Sequence, residues 1–106
     1  MAGRLSTGLK QLEGRLVAVR VWGAALPGET DPLFRVRSVR AFGAGLLFRL
    51  EPGSGGKGTL LKVAQPASPL QTERGVEIPH AAYVQWAGRR LPHVDGAAAL
   101  TLSAAE

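Results

Sequence analysis

The chain has 106 residues, of which 45% are hydrophobic, and a formal net charge of +5 at pH 7. That length suits one domain with one modest core, and the composition lies well above that of a disordered segment. With no cysteine, the sequence offers no disulfide framework, no thiolate nucleophile and no cysteine-ligated metal or iron–sulfur site.

The chain opens on a predicted helix over 4–13. Leu5, Leu9 and Leu12 fall on one helical face, and Gly14 stands where a terminating glycine belongs. A first strand over 15–22 follows, with Val17, Val19 and Val21 on one face and Arg20 and Trp22 on the other. Pro27-Gly28 and Pro32 mark a loop. The second strand, 34–42, alternates Phe34 and Val36 against Arg35 and Arg37, then changes phase at Val39. A β-bulge near Ser38 repairs the phase and returns Arg40 to the side of Arg35 and Arg37.

Gly43-Ala44-Gly45 reads as a tight hairpin connection. A third strand covers 46–51, with Leu46, Phe48 and Leu50 inward and Arg49 and Glu51 opposite. A glycine-rich loop leads to a fourth strand over 59–65. Pro66 to Gly75 is a second loop. A strand or strand pair over 76–86 is interrupted at Pro79, with Val84 and Trp86 inward and Tyr83 and Gln85 outward. Ala87-Gly88 turns into a strand over 89–94. Asp95-Gly96 is a further turn signal, and the tail, 97–106, contains a final edge strand at Ala97 to Leu102, favoured by Thr101, or a helix over Ala97 to Ala105, favoured by its alanines.

The predicted fold is mainly β: a small bent sheet or barrel of five or six short strands with one N-terminal helix. This element order resembles that of the Sm-like and SH3-like barrels, in which an N-terminal helix caps a bent five-stranded sheet. No family motif accompanies the likeness, and it assigns no functional residue.

Longest apolar runs such as Leu16 to Val19 and Ala97 to Leu100 fall far short of the roughly 20 residues that span a bilayer. No apolar run of signal-peptide length follows Arg4. A cytoplasmic protein without membrane contact is the expectation.

Motifs for chemistry are sparse. Gly53 to Thr59 invites comparison with a phosphate-binding P-loop, but Glu51 stands where that pattern needs its first glycine and Gly58 where it needs Ser or Thr. The loop also leads into a strand, not into a helix whose amides would face a phosphate. His80 and His93, near Glu77 and Asp95 in sequence, match no triad or metal-ligand spacing. Neither an enzyme activity nor a cofactor or metal is expected.

Arginine is the strongest signal. It outnumbers lysine ten to three, and guanidinium groups pair bidentately with phosphate and stack on bases. Arg35, Arg37 and Arg40 line one ridge, Arg20 and Arg49 lie on the same side if their strands are neighbours, and Trp22 adds a ring for stacking. These six residues define a candidate nucleic-acid face. The competing expectation is a protein-interaction or oligomerising module that uses the uncharged strand Ala97 to Leu102 as an unprotected edge.

Overall fold

The computed structural model describes residues 7–28 and 32–105. One antiparallel sheet of nine strands dominates it: β1 (Leu16–Val21), β2 (Leu33–Phe42), β3 (Gly45–Pro52), β4 (Thr59–Ala64), β5 (Leu70–Gln71), β6 (Gly75–Ile78), β7 (Tyr83–Trp86), β8 (Arg89–Arg90) and β9 (Leu100–Ala104). Their order across the sheet is β5-β6-β9-β1-β2-β3-β4-β7-β8. The sheet does not close; β5 and β8 are its ends.

The connections force this sheet to curl. From β6 to β7 are six strand intervals, about 29 Å if flat at ~4.8 Å each. The intervening residues 79–82 span at most roughly 17 Å even when extended. Pro79 O accepts from Ala99 N at 3.3 Å, and Ala82 N donates to Ala64 O at 2.8 Å. One short link therefore touches the β9 flank at one end and β4 at the other, and the apolar faces of distant strands meet inside. Phe34 on β2 and Trp86 on β7 pack edge to face with ring centroids 5.6 Å apart. Phe34, Val36, Val39, Phe48, Leu50, Leu61, Val63 and Val84 are fully buried, and among the described residues no polar or charged residue joins them.

The predicted bulge is present. Val36 pairs with Leu50 and Ser38 with Arg49, leaving Arg37 as the extra residue. Val39 thereby stays in the core and Arg40 stays outside. Two hairpin turns also match their sequences. Gly43 has φ +59, and Ala87 and Gly88 have φ +54 and +81, the positive values that two-residue hairpin turns require.

Several expectations are corrected. The helix over 4–13 is not borne out: among the described residues one helical turn, α1 (Thr7–Lys10), remains, and 4–6 lie outside them. The chain then winds through four-residue turns, Leu12 N to Leu9 O and Glu13 N to Lys10 O, before Gly14 N turns to Val36 O at 2.7 Å. Leu9 and Leu12 still reach the core. The strand over 76–86 is two strands, because Pro79 and the link described above leave the ladder. The strand over 89–94 stops after Arg90. The tail strand is shifted to 100–104 and is no edge: β9 pairs with β1 on one side and β6 on the other. Its lack of charge reflects burial of Leu100 and Leu102 in the sheet interior, and the premise for association through Ala97 to Leu102 falls.

Where β2 outruns β1, side chains from the N-terminal turn stand in for a strand. Val39 N donates to Glu13 Oε2 at 2.8 Å, and Lys10 Nζ donates to Val39 O at 3.4 Å. The Val39 amide holds the Glu13 carboxyl below its ordinary value of 4.5, with Lys10 and Arg40 adding to the effect. A lowered carboxyl pKa stabilises the fold above the unfolded value, and that contribution fades as pH falls through the folded one. Glu13→Ala should cost about 1 kcal/mol at pH 7. Glu13→Gln should differ from the parent at neutral pH and converge with it below pH 4.5, read by denaturant unfolding across pH.

Gly75 faces the Leu102 carbonyl so closely that a Cβ would overlap it, whereas a Cβ on Gly43 meets nothing. Gly75→Ala should therefore push β6 off β9 and cost about 1–3 kcal/mol. Gly43→Ala should cost only about the 1–2 kcal/mol of a left-handed alanine. Thermal unfolding of the two variants checks the order.

Candidate nucleic-acid interface

The outward side of the sheet is built by the pleat: every residue between two buried neighbours points away from the core. On β2 this places Arg35 and Arg40 outside, with Arg37 at the bulge. On β3 it places Leu47, Arg49 and Glu51 outside, on β4 Leu60 and Lys62, on β7 Tyr83 and Gln85. Register aligns them in rows. Arg40 stands opposite Leu47, Leu47 opposite Lys62, Lys62 opposite Gln85, and Gln85 opposite Arg90. A second row runs from Ser38 through Arg49 to Leu60. Cations in the first row recur on alternate strands, about 10 Å apart at the backbone.

Six cations thus share this face: Arg35, Arg37, Arg40, Arg49, Lys62 and Arg90. Among the described residues Glu51 is the acid on the same strands. Arg37 Nε lies 3.4 Å from Glu51 Oε2, an exposed pair that contributes little. Arg35 Nη1 donates to Gly14 O at 2.8 Å and so ties β2 to the first turn. Among the described residues Arg40 and Arg49 enter no ion pair. Glu13, at the β2 edge, lies close enough to Arg40 to feel its charge, but with six cations against two acids the potential over the face is positive.

Of the six residues singled out from sequence, Arg35, Arg37, Arg40 and Arg49 come together. Arg20 does not join them. It is exposed on β1 opposite Thr101, beyond the three positions where β1 pairs with β2 and toward the opposite end from Arg40. Trp22 is corrected outright: it is 4% exposed. Continuing the strand alternation to residue 22 would have turned it outward. Instead Trp22 and Gly23 form a two-residue turn with φ +51 and +77 between Val21 and Ala24, which folds the ring back onto the core. His93 meets it edge-on at 4.5 Å, and its Nε1 is buried without a hydrogen-bond partner.

Sequence reasoning missed Lys62 and Arg90 as members of the face. Arg90 lies 4.0 Å over the Tyr83 ring, and Lys62 lies 5.8 Å from the same ring and 5.6 Å from Phe42. The alternation of β4 was a usable signal for Lys62; nothing local marks Arg90, whose place depends on the β7–β8 turn.

The histidines do share a shallow cleft of about 290 Å³ with Glu77 and Asp95. Only His93 Nδ1 and Asp95 Oδ1 approach each other, at 3.4 Å and both exposed. Among the described residues no group of three His, Cys, Asp or Glu is placed to hold a metal ion, and none of their helices is long and apolar enough to cross a membrane. No family model matches the chain, and no curated protein or solved structure matches it.

Both tryptophans are buried. Their emission should be blue-shifted and resist iodide quenching, and a ligand on the arginine face should leave it nearly unchanged. Strong quenching of the free protein would contradict the placement of Trp22.

Proposed function

We propose that this protein is a non-enzymatic binding domain whose ligand is a nucleic acid, held along the outer face of β2, β3, β4, β7 and β8. The observation that carries the reading is the alignment of Arg40, Lys62 and Arg90 in one register row with Arg49 beside it, with Glu51 and, at the β2 edge, Glu13 as the nearby acids among the described residues. Cations at that density neutralise phosphates and release their counterions, which supplies affinity without any base contact. Exposed Leu60 and Phe42 and half-buried Leu47 lie between them, so the face offers apolar surface to bases as well as charge to the backbone. A cytoplasmic location suits such a ligand. We also read the curled sheet as a variant of the small-barrel architecture, Sm-like or SH3-like in outline, extended by β5 and β8.

Fluorescence anisotropy with a labelled single-stranded oligonucleotide tests this. Affinity should fall with salt at a log–log slope of about −3 to −4, as about five neutralised phosphates imply. Arg40→Glu/Arg49→Glu should lower affinity at least about tenfold at low salt, and Arg20→Glu, away from the face, much less. No binding at low salt, or indifference to the double substitution, would remove the reading. So would tight binding to anionic lipid vesicles with none to oligonucleotides.

A further inference from the structure

The row next to Arg40, Lys62 and Arg90 is of different character. Phe42 stands opposite Gly45, Gly45 packs against Val63 and Ala64 of β4, and Ala64 stands opposite Tyr83. Two rings are thus held apart by two of the smallest residues. The result is a mostly apolar cleft of about 330 Å³, floored by Gly45 and Ala64 and walled by Phe42 and Tyr83, within the size range of small-ligand sites. Gly45 is obligatory, because a Cβ there would come within 2.6 Å of Val63 O. The floor cannot fill with a side chain.

Phe42 is 58% exposed at the end of β2 and lines the cleft. Tyr83 carries the Arg90 guanidinium at 4.0 Å, and Lys62 lies within 6 Å of both rings. An aromatic surface flanked by cations, at the margin of a basic face, is complementary to a planar ring joined to a phosphate. We infer that the Phe42–Tyr83 cleft takes an unpaired nucleobase, stacked on Phe42 or on the Arg90–Tyr83 pair, while Lys62, Arg40 and Arg90 hold the adjoining phosphates. This rests on the nucleic-acid reading and adds to it a preference for single strands. A base within a duplex is already stacked and paired and does not enter without an unstacking cost.

The test compares three ligands of equal length: a single-stranded oligonucleotide, the same backbone made abasic, and a duplex. The parent protein should bind the first tightest. Phe42→Ala should weaken single-strand binding roughly tenfold, the effect of losing one stacked base, and leave abasic binding within about twofold. Because Phe42 lies outside the core, the variant should unfold at nearly the parent temperature, and that measurement accompanies the titrations. A single strand carrying 5-iodouracil should photocross-link to the peptide containing Phe42 or Tyr83. Unchanged single-strand affinity in Phe42→Ala, with Arg40→Glu/Arg49→Glu still weakening all three ligands, overturns the base site and leaves the phosphate-binding face standing. Equal loss on abasic and base-containing strands overturns it as well. Absence of binding to every ligand by the parent protein overturns both.

Discussion

One extra residue in β2 governs the outer surface. A strand repeats every two residues, and Val36 and Val39 are three apart; without compensation, Val39 would face solvent and Arg40 would enter the core. An unpaired guanidinium there would meet no acid, since among the described residues the interior holds none, and burying such a charge is prohibitive. The bulge at Arg37 removes the conflict. It also bends the strand, in keeping with a sheet whose distant members must be joined by the short link over 79–82. Phase of the arginines and curvature of the sheet therefore come from the same local irregularity.

The bulge has a companion at the β2 edge. Past Arg35 this strand has no β1 partner in the ladder among the described residues, and the N-terminal turn supplies substitutes: an amide of Gly14, a carboxylate of Glu13, an ammonium of Lys10. That use of Glu13 explains why the helix ends at Lys10 instead of running on to 13. Its residues are drawn into pairing with β2 instead of continuing a helical ladder, and Leu9 and Leu12 reach the core from turns. A charged group placed where a strand would otherwise add also guards the edge.

Legibility in the sequence followed the range of the interactions. Alternation within one strand was readable, so β1 to β4 and β7, their inward residues, and even the bulge were found from Val, Phe and Leu spacing. Turn chemistry was readable where glycine signalled it, at Gly43 and at Ala87-Gly88. What was not readable depended on who neighbours whom. Trp22 was misplaced because a turn starting on a tryptophan carries a left-handed conformation that residue type does not announce. The charge-free stretch near the C-terminus reads as a naked rim in sequence, although lack of charge is equally the mark of a strand flanked on both sides. Lys62 and Arg90 entered the face only once pairing aligned β4 and β8 with β2. Composition contained the basic character of the site; cross-strand register determined its membership.

The position of β9 has a consequence for biogenesis. It is the last strand of those described, yet it lies between β1 and β6. During synthesis β1 has an open flank and β6 lacks its inner partner until residues 100–104 leave the ribosome. Pairing of residues near 20 with residues near 100 is also a contact of very long sequence separation, the kind that slows folding. The nascent chain must pass through a stage with two adhesive margins facing each other across a missing slat, and any chaperone that attends this protein would act in that interval.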